Sequence, residues 1–206
     1  MKPFWENEYL NREKSTFGDP SKEVMDIVPL LPQGARILDV GCGDGRHALY
    51  LAGLGFQVDA FDISQAAVDK VNYLKECHQL NINTFVCDTL GFTFKHKYDL
   101  IILHGLLQFI EKEKQPQIIT LLKQWTNAGG YHIAALFTDE EPVPEDLKDV
   151  MVGVFRAGEI KTYYQDWETV MFESRKFNDE HENGIRHCHA MNKIVTRKAA
   201  ESSTNK

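Results

Sequence analysis

The sequence lacks the features that mark several large classes of protein. Its 206 residues include only four cysteines, none in a C-x-x-C pair, which argues against a disulfide framework or a zinc knuckle. The net charge of -7 is the opposite of the basic excess that non-specific binding of nucleic acid requires. No apolar run approaches the roughly 18 residues of a membrane span, and the first residues lack the apolar core of a signal peptide. We expect a soluble, cytoplasmic protein without a bound metal, acting on a small molecule rather than on nucleic acid or a membrane.

Internal repeats and low-complexity linkers are also missing, and short apolar runs alternate instead with amphipathic segments of helix length. This alternation predicts an α/β fold in which a doubly wound, mostly parallel sheet carries helices on both faces. The candidate strands are ARILDV, FQVDAFD, NTFVCD, YDLIILH and YHIAALF. The candidate helices cover residues 46–54, 65–79 and 113–126, with Ser64 as an N-cap and residues 127–130 as an abrupt stop. The pattern predicts five βα units.

The pattern changes after Phe137. Residues 138–162 contain prolines and glycines and predict an irregular excursion, which is a candidate lid over an acceptor. The segments ETVMFESRKF and RHCHAMNKIVTRK then predict a strand pair, with a hairpin turn at Asn183-Gly184. We expect one domain over residues 1–198, beginning with a cap region at residues 1–30, and a disordered tail at residues 199–206.

Three glycines at alternate positions, Gly41, Gly43 and Gly45, follow the first strand. A glycine-rich turn from a strand into a helix lets a ligand approach the backbone and presents free N–H groups. The third glycine comes one residue earlier than in the dinucleotide fingerprint, and Asp39 leads the motif. A carboxylate here would repel a pyrophosphate and attract a cation, such as the ammonium and sulfonium of S-adenosylmethionine. The alternative role for Asp39 is to cap nearby backbone N–H groups.

Polar residues also end the next strands, where doubly wound sheets bind their ligands. Asp62 ends the second strand and suits the two hydroxyls of a ribose, a role that dinucleotide sites share. Asp88 ends the third strand within reach of an adenine amino group, and His104 ends the fourth. The predicted cofactor-binding residues are Asp39, Gly41, Cys42, Gly43, Gly45, Asp62, Ile63, Asp88, Thr89 and His104.

With these residues in order, the chain resembles the class I S-adenosylmethionine-dependent methyltransferases over about residues 20–198. The resemblance implies a Rossmann-like sheet of seven strands that ends in an antiparallel hairpin, with S-adenosylmethionine as the cofactor. Within that class, LDVGCGDGRHALYLAGLG, WTNAGGYHIAALF and FRAGEIKTYYQDWE followed by NGIR are similar to the tellurite-resistance methyltransferase family. That likeness implies in-line methyl transfer to a small soft acceptor, either a tellurite- or selenite-like oxyanion or a thiol.

An anionic acceptor would require a local basic pocket, although the transfer itself needs little help because the leaving group departs neutral. Basic side chains are relatively concentrated in residues 156–198, where the candidates for anion contact are Arg156, Lys161, Arg175, Arg186 and His187. Arg186 aligns with the arginine of the family's NGxR ending, and His181 takes the place of the histidine that the family carries before the hairpin. The arginine of that His-Arg pair has no counterpart. We predict Arg186, His181 and Arg156 as catalytic residues, with a solvated surface charge as the alternative for each arginine.

Aromatic residues occur in two groups, and each group has two possible roles. Phe4, Trp5 and Tyr9 either fold over the cofactor or pack an N-terminal helix on the surface. The second group either walls the acceptor pocket, where aromatic faces attract a sulfonium, or belongs to the core. Its members are Phe155, Tyr163, Tyr164 and Trp167.

The sequence also leaves several alternative functions open. A nicotinamide-dependent oxidoreductase would explain the glycines and Asp62, but the chain has no Tyr-x-x-x-Lys dyad. A nucleic-acid methyltransferase often carries Asn/Asp-Pro-Pro-aromatic after the fourth strand, where this chain reads His-Gly-Leu-Leu. A methyltransferase for another small metabolite and a non-catalytic S-adenosylmethionine-binding protein both fit the same cofactor residues.

Overall fold

A computed structural model describes residues 5–13, 15–180 and 186–200. Its sheet is built from β1 (Arg36–Val40), β2 (Gln57–Asp62), β3 (Ile82–Val86), β4 (Tyr98–His104), β5 (Thr126–Phe137), β6 (Glu168–Glu180) and β7 (Arg186–Arg197). The spatial order is β3-β2-β1-β4-β5-β7-β6. The first five strands pair in parallel, and β7 is antiparallel to both of its neighbours. The predicted fold class, with seven strands and a C-terminal antiparallel pair, is therefore confirmed.

The α-helices of the described residues are α1 (Trp5–Glu8), α2 (Lys22–Ile27), α3 (Arg46–Gly53), α4 (Gln65–Cys77) and α5 (Gln115–Gln124). Short 3₁₀ turns cover Val28–Leu30, Leu107–Phe109, Glu145–Leu147 and Glu159–Tyr164. Ser64 caps α4 as predicted, because its side chain accepts a hydrogen bond from the backbone N–H of Ala67 at 3.2 Å. Across the described ranges, no helix is long and apolar enough to cross a membrane.

Both faces of the sheet are buried, which explains why its strands are nearly continuous apolar runs. Successive side chains of a strand point to opposite faces, so neighbours in the sequence enter different core clusters. Leu38 and Ile101 pack on the face covered by α5, while Ile37 and Leu100 pack on the face covered by α3. The core thus fixes the register that aligns the carboxyl ends of β1 and β4.

The prediction of five βα units is wrong, because α-helices follow only β1, β2 and β4 among the parallel strands of the described chain. Residues 87–97 join β3 to β4 as a loop, and aromatic side chains cover the sheet where a helix would lie. Phe92 stacks on Phe61 with ring centroids 4.6 Å apart, and Phe94 stacks on Trp125 at 5.0 Å. The aromatic side chains of this loop thus cover the apolar sheet without the periodic spacing of a helix.

The prediction that residues 127–130 stop a helix is also wrong in detail. Helix α5 ends at Gln124, and β5 already begins at Thr126. The register between β4 and β5 shifts after Tyr98, so residues 127–130 form an irregular part of a strand. Gly129 takes a φ of +76° there, a conformation that glycine adopts without strain.

The C-terminal strand pair is confirmed from Glu168 opposite Arg197 to Glu180 opposite Arg186. The predicted turn at Asn183-Gly184 and most of the predicted tail, residues 201–206, lie outside the described residues. Residues 138–162 form the predicted irregular excursion, which holds one complete 3₁₀ turn and the start of another. The domain boundaries and the role of this excursion as a lid stay predictions.

Candidate functional site

The turn from β1 into α3 holds three glycines in conformations that other residues avoid. The φ angles of Gly41, Gly43 and Gly45 are +66°, +54° and +81°. Side chains would also collide with the surroundings: a Cβ on Gly45 would lie 2.7 Å from Val71 Cγ2, and one on Gly41 2.8 Å from Leu106 Cδ1. Glycine is therefore required both for the path of the turn and for its close packing.

Asp62 ties the end of β2 to this turn. The backbone N–H of Gly43 donates to Asp62 Oδ2 at 2.8 Å, and that of Ser64 donates to Oδ1 at 2.9 Å. Each carboxylate oxygen retains a further lone pair, so the group has capacity to accept from hydroxyls of a ligand. Burial raises the pKa of Asp62. The carboxylate of Asp62 therefore lies beside the glycine turn, and its contact with a ribose stays a prediction.

Asp39 is 2% exposed at the carboxyl half of β1. Its Oδ2 accepts no hydrogen bond from any described residue. Burial raises the pKa of Asp39 to about 7, although the Arg46 charge and the backbone N–H of Ala48 both act to lower it. A buried carboxylate oxygen without a partner is costly unless a ligand satisfies it. The carboxylate of Asp39 thus contacts the backbone N–H of Ala48, and its Oδ2 has capacity to accept a hydrogen bond from a cationic ligand group.

The sheet order places the other predicted cofactor residues along the same edge. Asp88 is exposed after β3, and its Oδ1 accepts from the backbone N–H of Leu90 at 2.9 Å. Thr89 and Cys42 are buried, whereas Ile63 is 73% exposed directly after β2. An exposed isoleucine beside polar strand ends offers an apolar face on which a planar base could pack. A cavity of about 520 Å³ opens there, between the start of α4 and the N-terminal segment.

The N-terminal segment lies against the glycine turn. Tyr9 is 5% exposed, and its hydroxyl is 3.0 Å from the position that a Cβ on Gly43 would take. Burial raises the pKa of Tyr9 strongly. Trp5 packs on Phe109 beyond the end of β4, with ring centroids 5.0 Å apart. Tyr9 thus packs on the glycine turn and Trp5 on Phe109, while Phe4 lies outside the described residues. Whether this segment folds over a cofactor stays a prediction.

His104 belongs to a charged network that the sequence did not predict. Its Nε2 is 3.1 Å from Glu23 Oε1, and its Nδ1 is 3.1 Å from a terminal guanidinium nitrogen of Arg46. Glu23 Oε2 accepts from Lys193 Nζ at 2.8 Å. These side chains come from α2, α3, β4 and β7, so no local motif joins them. In the sequence, the position of Arg46 in the first turn of α3, just after the glycines, is the feature that could have pointed to a charged group here.

Of the three predicted catalytic residues, the structure describes the side chain of Arg156 alone. Arg156 is exposed just beyond the end of β5, next to Phe155, which forms a parallel bridge to Thr138. Arg186 begins β7, but its side chain and that of His187 lie outside the described residues, as does all of His181. The structure therefore leaves the grouping of Arg156, His181 and Arg186 as a prediction. No group of three metal-binding side chains occurs in the described part of the chain.

The two further basic candidates in this segment contact aromatic rings. Lys161 Nζ lies 3.6 Å from the centre of the Phe172 ring, and the Arg175 guanidinium carbon lies 5.3 Å from that of Phe177. Both cations are exposed and lie against rings of β6, and their contact with an anionic acceptor stays a prediction.

The second aromatic group belongs to the core. Phe155, Tyr164 and Trp167 are 0%, 1% and 8% exposed, and Tyr163 packs against the same cluster. For Phe155, Tyr164 and Trp167 the structure thus favours the core over the wall of an acceptor pocket, while Tyr163 is only partly buried. The 3₁₀ turn at Glu159–Tyr164 directs Tyr164 inward, where its hydroxyl lies 2.8 Å from His132 Nδ1.

The sequence is similar to that of known methyltransferases. The family model of "Tellurite resistance protein TehB" matches residues 4–196. A probable S-adenosyl-L-methionine-dependent methyltransferase TehB from Haemophilus influenzae is 33% identical over 168 residues, which cover 80% of this chain and 57% of the relative. The chain thus spans little more than half the length of that curated relative.

Solved structures show the same fold. The crystal structure of TehB from Haemophilus influenzae has a TM-score of 0.80 at 29% identity, covering 94% of this chain and 67% of that one. The N-methyltransferase NodS from Bradyrhizobium japonicum, in complex with S-adenosyl-l-homocysteine, has a TM-score of 0.66 at 16% identity. That match covers 94% of this chain and 96% of NodS, and it supports the fold alone.

Proposed function

We propose, because the chain belongs to the TehB family of tellurite resistance proteins, that it binds S-adenosylmethionine and transfers the methyl group to a small soft acceptor. The observation that carries the proposal is Asp39, a buried carboxylate beside the glycine turn with one oxygen unsatisfied by the described residues. A cationic ligand would complete that group, whereas a pyrophosphate would be repelled by it. The same argument disfavours a nicotinamide dinucleotide.

Five of the predicted cofactor residues, besides the glycines of the turn, have a definite part in this proposal. Asp39 would hold the ammonium of the cofactor, and Asp62 its ribose hydroxyls. Asp88 and Thr89 would contact the adenine from the end of β3, and Ile63 would pack on the face of the base. The glycine turn supports the assignment because a glycine-rich connection from a strand into a helix is a turn that ligands can approach closely.

Bound S-adenosylmethionine supplies a methyl group that is activated on a sulfonium and leaves behind a neutral thioether. The residues of this chain therefore have to orient the acceptor in line and exclude water, and no nucleophilic triad is required. Tyr9, which packs on the glycine turn, and Trp5 would cover the bound cofactor from the N-terminal side. Arg156 and Arg186 would hold an anionic acceptor at the carboxyl edge of the sheet, with His181 beside them.

The acceptor proposed here is a tellurite- or selenite-like oxyanion or a thiol, with another small metabolite as the alternative. The test is formation of S-adenosylhomocysteine by the purified protein with tellurite, selenite and a low-molecular-weight thiol, each assayed separately. We expect turnover with at least one of them, slowed at least tenfold by Arg186→Ala with unchanged cofactor affinity. Arg197→Ala, at the opposite end of β7, is the matched control and should keep full turnover.

Two results would contradict this proposal in different ways. Cofactor binding without turnover of any of these acceptors would favour another metabolite or a non-catalytic binding protein. Equal loss of turnover and cofactor affinity in Arg186→Ala would move that residue from the acceptor to the cofactor.

A further inference from the structure

Another cavity, of about 370 Å³, opens at the outer edge of the sheet, where β3 is the terminal strand. Side chains from β2, α4, β3 and the loop between β3 and β4 line it. Asp59 of β2 belongs to this lining and lies three residues before Asp62, which is about 10 Å along the strand. The cavity is therefore separate from the carboxyl ends of the strands, and none of the predicted cofactor residues lines it.

Asp59 is the acid of this cavity, and both of its oxygens are occupied by neighbours. Asn83 Nδ2 donates to Oδ1 at 2.8 Å, and the hydroxyl of Tyr98 donates to Oδ2 at 2.7 Å. His96 Nε2 lies 3.0 Å from the same Oδ2 and donates to it, because a carboxylate only accepts. The carboxylate is 7% exposed. Asp59 thus holds Asn83 and His96 in the wall of the cavity, and it has little negative charge to present to a ligand.

Two lysines line the same cavity with donors to spare. Lys75 Nζ donates to the carbonyl oxygen of Ile82 at 3.0 Å, which leaves two N–H groups of the ammonium for a ligand. Lys95 is exposed in the loop between β3 and β4. Neither lysine is paired with a carboxylate of the described residues. The lining of the cavity therefore carries an excess of positive charge.

The open edge of β3 adds a backbone donor. The N–H and C=O groups of one strand residue point to the same side, and that side alternates along the strand. The carbonyl of Ile82 points outward to Lys75, whereas the N–H of Cys87 points inward to the carbonyl oxygen of Asp62 at 3.0 Å. By this alternation the N–H of Thr84 points outward, at a residue that lines the cavity.

These donors come from a helix, a strand edge and a loop, and they surround one space. A tetrahedral oxyanion accepts hydrogen bonds on all of its sides, and bonds from ammonium groups to such an ion are among the stronger ones. We propose that this cavity binds a phosphate-sized oxyanion, either the free ion or the phosphoryl group of a small molecule. Lys75 and Lys95 supply the charged contacts, and Thr84 supplies a backbone N–H. This inference does not depend on the proposed function.

The test is a titration of the isotope-labelled protein with inorganic phosphate at constant ionic strength, followed by NMR. We expect a saturable shift of the Thr84 amide and of the His96 ring. Lys75→Met and Lys95→Met should each weaken phosphate at least about fivefold through loss of a charged contact. Lys95→Met is the cleaner variant, because Lys75 also contacts Ile82. Lys97→Met changes an exposed lysine of the same loop that does not line the cavity, and it should leave the affinity within about twofold.

Glycerol 3-phosphate, titrated in the same way, distinguishes the two sources of the ion. Affinity equal to that of inorganic phosphate assigns the site to the free ion, and tighter binding assigns it to a phosphorylated small molecule. Equal weakening in Lys97→Met, or a shift of the Thr84 amide that does not saturate, would overturn the inference. Displacement of phosphate by S-adenosylmethionine would also overturn it, whereas a protein that binds phosphate but not S-adenosylmethionine would contradict the proposed function alone.

Discussion

Asp44 Oδ2 lies 3.1 Å from Lys70 Nζ, and neither side chain is more than 2% exposed. The same oxygen accepts from the backbone N–H of Thr16 at 2.5 Å. This pair therefore joins the glycine turn to α4 and to the N-terminal segment. A buried ion pair adds little net stability over apolar packing, but loss of one partner leaves a buried charge without compensation.

The first prediction concerns this pair. Lys70→Met should lower the free energy of unfolding by about 3–5 kcal/mol, because the buried carboxyl group of Asp44 would lose its cationic partner. Urea denaturation measures the change. Lys22→Met removes an exposed partner of Asp26 on α2 and is the matched control, with an expected loss below about 1 kcal/mol. Similar losses in the two variants would show that the Asp44–Lys70 pair is not the structural link described.

The second prediction concerns pH and Asp39. Since the pKa of Asp39 is raised to about 7 by burial, the carboxyl becomes protonated as the pH falls below 7 and loses its attraction for a cation. Affinity for S-adenosylmethionine should fall by roughly five- to tenfold between pH 7.5 and pH 6. Titration calorimetry across this range measures it. The neutral ligand 5′-methylthioadenosine should bind with little dependence on pH, and an equal dependence for both ligands would contradict the role of Asp39.

The third prediction concerns Asp62, whose carboxylate contacts both the glycine turn and the start of α4. Asp62→Ala should weaken S-adenosylmethionine binding by about 1–3 kcal/mol through the loss of ribose hydrogen bonds. Asp26→Ala on the exposed face of α2 removes an acid of the same type and should leave the dissociation constant unchanged. Unchanged affinity in Asp62→Ala would mean that the ribose is not bound at the end of β2.

The fourth prediction concerns His132, which is 1% exposed between Thr126 and Tyr164. Burial lowers its pKa to about 3, helped by the charges of Lys123 and Lys198, so the ring is neutral in the folded protein. The unfolded chain takes up the proton first, near pH 6.5, so the stability contributed by His132 is complete above pH 6.5. It is lost as the pH falls from 6.5 towards 3.

Between pH 6.5 and pH 5 this residue should account for about 2 kcal/mol of lost unfolding free energy. Denaturation curves at several pH values measure the slope. His132→Phe should show a shallower slope by about one proton, whereas His78→Phe should keep the slope of the unsubstituted protein. An unchanged slope in His132→Phe would indicate that its ring is protonated in the folded state.

Local patterns predicted the parts of the fold that depend on neighbours in the sequence. The apolar runs of β1 and β4 and the N-cap at Ser64 are decided within a few residues, as is the glycine turn. The loop that replaces a helix between β3 and β4 was missed because its aromatic side chains gain their burial from Phe61 and Trp125, which lie on other elements. Stacking of this kind leaves no periodic signal.

The candidate site divides in the same way. Asp39 and Asp62 were predicted because strand ends carry ligand contacts in doubly wound sheets. The contact of Glu23 with Lys193 joins α2 to β7 across most of the chain, and no spacing rule connects them. Asp44 lies between Gly43 and Gly45 in the glycine motif. Its partner Lys70 has the sequence pattern of an ordinary surface cation on a helix, and only the packing of α4 shows that it is buried.

Binding of the cofactor at the glycine turn is the central claim, and calorimetric titration with S-adenosylmethionine tests it most directly. The same titration is made with NADH and repeated on Asp39→Asn, which preserves the shape of the side chain but not its charge. We predict micromolar binding of S-adenosylmethionine, no binding of NADH, and loss of the first in the variant. Binding of NADH, or S-adenosylmethionine affinity that does not depend on the charge of Asp39, would contradict the account.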